Sequence, residues 1–267
     1  MRLRPIAGIV LRQVYLLRGS PVRLFPMLAW VAIDIVLWGF ITRYLNKVSG
    51  SGMDFVPTLL GAVLLWDFCT RIMQGVTTAF LEDVWSRNFL NLFASPLSIS
   101  EYITGLVITS VATGSIGLLV MLSLATGVFH LQFFSLGLPL LAFLLVLFIF
   151  GISLGIFGSA LVLRLGPASE WLLWPLPALL SPFAAVFYPL AVLPHWMQAV
   201  SRVLPPSYVF EGMRSLLADH PFPGILLLQG SLVAILELLL TAHFYARVYR
   251  HAVRTGLLAR YSAESVA

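Results

Sequence analysis

Hydrophobic and polar positions in this chain alternate over whole segments rather than within single helical turns. From Tyr102 to Leu163 there are 62 residues without one Asp, Glu, Lys or Arg. With a rise of 1.5 Å per helical residue, about 20 apolar residues cross the hydrocarbon of a bilayer, so this stretch holds two crossings and a turn. The turn is placed at the one locally polar point, TGVFHLQ at 126–132. The run LAFLLVLFIF at 141–150 is apolar on every face, which suits lipid or a deep interior and nothing else. The same segmentation predicts six transmembrane helices, near 24–42, 56–81, 102–129, 133–163, 171–193 and 222–246. The first is not a cleavable signal, because it is long enough to span, carries Asp34 and lacks a small-x-small cleavage site. The fold expected is an all-α integral membrane protein, one transmembrane domain over 1–267.

Three segments depart from plain spanning helices. Ile6, Val10, Val14 and Leu17 recur at helical spacing with Arg12 and Gln13 off that stripe, which predicts an N-terminal helix over 1–22 lying in the membrane interface and ended by Gly19-Ser20-Pro21. Segment 82–98 is too polar to cross and too apolar for a free loop. Its Val84, Phe89, Leu92 and Phe93 alternate with Glu82, Asp83, Arg87 and Asn91, which predicts an amphipathic helix stopped at Ser95-Pro96. It reads either as a surface helix anchored by Trp85 or as a docking helix for a soluble partner.

The third departure follows the fifth span. Pro175, Pro177, Pro182 and Pro189 remove four backbone donors, so that span must kink or break. After it, Pro194 suits the start of a short helix through Trp196, and Tyr208, Glu211 and Arg214 lie on a second helical piece after Pro205-Pro206. Two short helices over 194–217 returning toward the membrane are expected, since broken backbone at membrane depth must pack against protein or line a cavity. This segment is the predicted outer gate.

Composition agrees with the segmentation. Charged residues make up 10% and hydrophobic ones 60%, with mean hydropathy +0.96, against about a quarter charged in soluble domains. The basic pI near 9.7 invites nucleic acid as a partner, but the basic residues are Arg at membrane edges and form no patch. Membrane lipid is the expected surround. An even number of spans puts both termini on one side, and with the termini inside, eleven Arg fall on inner segments against Arg43, Lys47, Arg202 and Arg214 outside. That bias makes both termini cytoplasmic.

Candidate chemistry is sparse. Cys69 is the lone cysteine and the five histidines are scattered, so no metal site and no catalytic set is expected. Gly151-Ile152-Ser153-Leu154-Gly155 matches a nucleophile elbow, but that motif needs a strand-turn-helix, and here it sits mid-span. With Gly158 these glycines make a small-residue face for close helix approach. Charges inside spans are site hypotheses: Asp67 and Arg71 stand at i, i+4 and can pair on one face, as structure or as a substrate contact, while Asp34 and Glu237 are isolated. Aromatics near the ends of spans one and five, such as Trp30, Trp38, Trp171, Trp174 and Tyr188, either line a path for an amphipathic substrate or form interface belts, a belt being the reading for Trp171. Lys47 is the sole lysine and follows Leu45-Asn46, so no phosphate loop exists in the chain.

Together with the basic N-terminal helix and six spans, L-E-D-V-W-S-R-N-F-L-N-L-F-A-S-P-L-S before span three and F-Y-P-L-A-V-L-P-H-W-M-Q…L-P-P-S-Y-V-F-E-G-M-R after span five resemble the ABC-2 type transporter permeases. The resemblance covers nearly the whole chain. It implies a homodimeric membrane domain, with a second copy of the chain and two copies of an ABC ATPase subunit bound below, in a bacterial-type inner membrane. It makes 82–98 the coupling helix, with Glu82, Asp83, Trp85, Arg87, Phe89 and Phe93 as ATPase-coupling residues, and 194–217 the outer re-entrant hairpin. It implies no cofactor in this chain; ATP and Mg would sit on the partner. The permease of an ATP-driven exporter of a lipidic, glycolipid, polysaccharide or drug-like molecule is the leading expectation. An ion-driven secondary transporter and a membrane-embedded lipid-modifying enzyme are the alternatives.

Overall fold

Every described element of regular structure is helical. The computed structural model describes residues 2–19, 24–49, 56–86, 88–131, 137–218 and 220–257. In chain order the α-helices are α1 (Leu3–Gly19), α2 (Leu24–Ser49), α3 (Gly61–Trp85), α4 (Phe89–Ala94), α5 (Ile99–Phe129), α6 (Leu138–Leu165), α7 (Glu170–Leu173), α8 (Leu176–Leu180), α9 (His195–Ser201), α10 (Pro205–Leu217) and α11 (Gly224–Thr255). Among the described residues, four helices are long and apolar enough to cross a membrane: Thr58–Trp85, which overlaps a π-helical turn at Val56–Leu60, then Ile99–Phe129, Pro139–Leu165 and Gly224–Thr255. α2 covers the first predicted span with 26 residues. The start of the fourth predicted span, at 133, lies outside the described residues.

Local chemistry sets the helix limits. The Ser98 hydroxyl accepts from the Glu101 amide while the Glu101 carboxylate accepts from the Ser98 amide, a reciprocal cap that starts α5. His130 ends it at φ 58°, inside the predicted turn. Pro139 lies in the first turn of α6, and Gly166 at φ 95° stops that helix.

The predicted amphipathic helix over 82–98 is two pieces. Glu82–Trp85 form the last turn of α3, and a short separate helix, α4, follows. The α3 ladder continues because Asp83 is buried against neighbours and keeps the helix in the bundle beyond the apolar run. The predicted fifth span is likewise broken, into α7, α8 and a 3-10 turn at Leu190–Val192, as its prolines require.

α3 and α6 form the centre, α5 packs on α3, and α11 packs on α6. A Cβ on Gly151 would come within 2.7 Å of the Cys69 carbonyl oxygen, and one on Gly155 within 2.7 Å of Val76 Cβ. The G-x-S-x-G stretch is therefore the surface on which α6 touches α3. Two apolar clusters stack along the bundle. One gathers Leu64, Phe68, Phe143 and Phe210. The other gathers Phe80, Tyr102, Leu163 and Tyr245.

α1 lies on α5, with Ile6, Ile9 and Gln13 buried. This face differs from the predicted Ile6–Val10–Val14–Leu17 stripe. The difference has a physical reason: the bundle presents a buried carboxylate, Asp83, and Arg12 turns inward to meet it.

Candidate functional site

α3 carries a polar stripe through an otherwise apolar helix. Asp67, Arg71, Gln74, Thr78 and Glu82 follow one another at steps of three or four, which places them within an arc of about 80° on one face. That face lines a cavity of about 660 Å³. α2 contributes Trp30 and Asp34, α5 contributes Thr109, Ser110 and Thr113, α1 contributes Gln13 and Leu17, and Trp174 follows α7. From Asp67 to Glu82 the cavity runs about 22 Å along α3. Its volume falls within the range of small-molecule sites.

Two of the intramembrane charges predicted as candidates are paired. Arg71 Nε donates to Asp67 Oδ2 at 2.7 Å. Asp34 joins them in the cavity, and the Arg71 charge acts on both carboxylates. Glu237 is elsewhere, on α11, with a buried carboxyl oxygen, Oε2, that has no hydrogen-bond partner.

At the α1 end of the bundle, the residues predicted for coupling separate into different environments. Asp83 is buried, accepting from Arg12 and from the Tyr102 hydroxyl at 2.7 Å. Arg2 reaches Glu101 by its backbone amide at 2.9 Å and by Nε at 3.4 Å, and its guanidinium also donates to the Pro96 carbonyl. α1 is thus tied to α3, to the start of α5 and to the chain just after α4. Glu82 turns toward the cavity and Trp85 is exposed. Phe89 and Phe93 fall on α4. Arg87 lies outside the described residues.

α10 packs at the opposite end of α3, where Phe210 meets Trp66 with ring centroids 6.3 Å apart. Trp66 and Asp83 are 17 residues apart on one helix, about 26 Å. There Arg214 donates to the carbonyls of Ala185 at 2.8 Å and Val186 at 3.4 Å, and to Glu211 at 2.9 Å. The same Glu211 oxygen accepts from the Leu190 amide at 2.6 Å. The Tyr208 hydroxyl donates to the Arg202 carbonyl, and Trp196 packs edge-on against Phe183. Pro194 caps α9. The broken fifth segment and the two helices after it are one hydrogen-bonded unit.

Sequence reasoning missed Gln74, Thr70 and Thr78 as cavity residues, and Arg12 and Tyr102 as the partners of Asp83. The first set had a signal, the polar stripe on α3. The second had none within its own segments, since the three residues come from three different helices. Among the described residues, no group of three His, Cys, Asp or Glu side chains comes together as a metal site.

A family model described as ABC-2 type transporter matches residues 22–218. That range runs from the start of α2 to the end of α10 and includes most of the cavity wall. Among curated proteins, none matches the chain.

Proposed function

The chain belongs to the ABC-2 type transporter family, a membrane permease subunit rather than a catalytic one, and from that premise we propose that it is the permease of an ATP-driven exporter. A separate ABC ATPase subunit hydrolyses the ATP, with two copies serving a dimer of this chain. α2 and the broken segment through α7 and α8 supply two crossings beside the four long apolar helices, for six. Both termini and α1 face the cytoplasm, and α9–α10 form the outer gate.

The observation that supports coupling is the tie at the α1 end. An ATPase moves a membrane cavity only through an element that touches both and differs in its contacts between ATPase states. Trp85 and α4 lie at the surface end of α3, and the stripe from Glu82 to Asp67 is on that same rigid helix. A push on α4 or Trp85 is thereby delivered to the cavity wall. Asp83, Arg12 and Tyr102 hold the lever in register rather than dock the ATPase. The lipid-enzyme alternative needs an open pair of acids at Glu82 and Asp83, and Asp83 is committed to Arg12 and Tyr102.

The test is reconstitution of the chain with its ATPase subunit in proteoliposomes. Trp85→Ala is expected to lower substrate-stimulated ATP hydrolysis and transport together while the chain keeps its thermal stability. Full stimulated activity in that variant would remove the coupling role from this end of α3.

A further inference from the structure

The sign of the charge that the cavity accepts is fixed by its wall. Asp34 from α2 and Asp67 from α3 both face one guanidinium, Arg71, which is already bonded to Asp67. Glu82 lines the far end of the cavity, so among the described lining residues three carboxylates stand against one guanidinium. An anion entering here would share Arg71 with Asp67 and come to rest beside Asp34, whereas a cation neutralises the excess of carboxylate. In surroundings of low dielectric that difference is large.

The hydroxyls point to the same sign independently. Thr70 donates to the Trp66 carbonyl at 3.0 Å, Thr109 to Gly105 at 3.0 Å, Ser110 to Leu106 at 2.9 Å and Thr113 to Thr109 at 3.1 Å. Each proton is spent on the residue's own helix. What these side chains offer the cavity is oxygen lone pairs, which attract positive charge. Trp30 and Asp34 stand at i, i+4 on α2 and so share a face, and Trp174 adds a second indole to the lining. Indole faces attract cations and pack against apolar rings.

We propose that this cavity binds an organic cation, a quaternary or protonated nitrogen (or an equivalent onium centre) on an apolar or aromatic body, with Asp34 as its counter-charge. The proposal names the substrate class of the permease described above and rests on that reading for the transport of the bound ion, though not for the binding itself.

Tetraphenylphosphonium and tetraphenylborate have the same shape and opposite charge, and they are the probes. Equilibrium binding is measured on the full chain in lipid nanodiscs. Saturable phosphonium binding that borate does not displace is expected. Asp34→Asn should weaken it about tenfold and Asp34→Glu restore it, the loss expected of one charge-assisted contact. Trp30→Ala, at an exposed position, should weaken it several-fold, which keeps the test sound if Asp34→Asn fails to fold. Equal affinity for both ions, borate binding that is lost in Arg71→Gln, or phosphonium binding indifferent to both Asp34→Asn and Trp30→Ala would overturn the proposal. The complex with its ATPase separates the two claims. Stimulation by a glycan or neutral lipid, with no phosphonium binding, keeps the permease and overturns the cation site. Asp34-dependent phosphonium binding with no ATP-driven movement keeps the cation site and counts against the permease.

Discussion

Arg214 Nη2 donates to the carbonyl of Ala185 at 2.8 Å, and Ala185 is a buried residue held at φ 52°. A left-handed alanine costs about 1–2 kcal/mol. The guanidinium of α10 offsets that cost where the broken segment reverses.

Ala185→Gly is therefore expected to be neutral or stabilising by up to about 1 kcal/mol, and Ala185→Val to destabilise. Arg214→Gln strips the Ala185 and Val186 carbonyls and leaves Glu211 without its cation, at about 2 kcal/mol for a partly buried site. Thermal unfolding of the purified chain in detergent reads all three. An Ala185→Gly chain markedly less stable than wild type would mean that the left-handed turn is not under strain.

Asp83 and Trp85 are two residues apart and should behave oppositely. Asp83→Asn breaks a buried ion pair and should cost about 3 kcal/mol, and Tyr102→Phe about 1 kcal/mol. In a double-mutant cycle, Arg12→Gln with Asp83→Asn should show coupling above about 1 kcal/mol. Trp85→Ala should leave the melting temperature in place and reduce ATPase coupling instead. A stable Asp83→Asn chain that loses its ATPase would return Asp83 to a docking role.

The Asp67–Arg71 pair predicts a rescue. An unpaired charge in a span costs at least about 2.5–3.5 kcal/mol on insertion scales. Asp67→Asn or Arg71→Gln alone should lower the yield of folded chain, and the double variant should recover it. Size-exclusion yield is the readout. No recovery in the double variant would mean that each residue serves a partner other than the other.

Glycines divide by what surrounds them. Gly151→Ala places a methyl 2.7 Å from a backbone oxygen of α3, which cannot retreat as a side-chain tip can, so about 1–3 kcal/mol of destabilisation is expected. Gly127→Ala meets nothing within 4 Å on α5 and should be neutral or stabilising by up to about 1 kcal/mol. Equal effects at the two positions would contradict close packing of α6 on α3.

These contrasts also show where the sequence was legible. Long apolar runs declared their helices, because lipid-scale hydropathy is a property of a segment by itself. The proline breaks after Glu170 and the Asp67–Arg71 pair were readable for the same local reason. The inward turn of Arg12 was not, since its cause, Asp83, is 71 positions away in the chain. The end of α3 was misplaced on the same account: Glu82–Trp85 are polar enough to look like a separate surface helix, and only the buried Asp83 contacts show why the spanning helix continues. In the cavity, the α3 half was written in its polar stripe, while the α5 hydroxyls passed for ordinary helix residues.

The central claim is that ATP binding by an ATPase subunit docked at the α1 end changes the cavity through α3. Cys69 is buried, so its thiol stays unreactive, and a single Gln74→Cys introduces one labelling site in the cavity wall. The measurement is the rate at which a water-soluble methanethiosulfonate labels that cysteine in the complex with its ATPase, with and without ATP. The rate should change several-fold on adding ATP, and Trp85→Ala should abolish the change while leaving the ATP-free rate as it was. A labelling rate unaffected by ATP in a complex that hydrolyses it would contradict the coupling of ATPase to cavity.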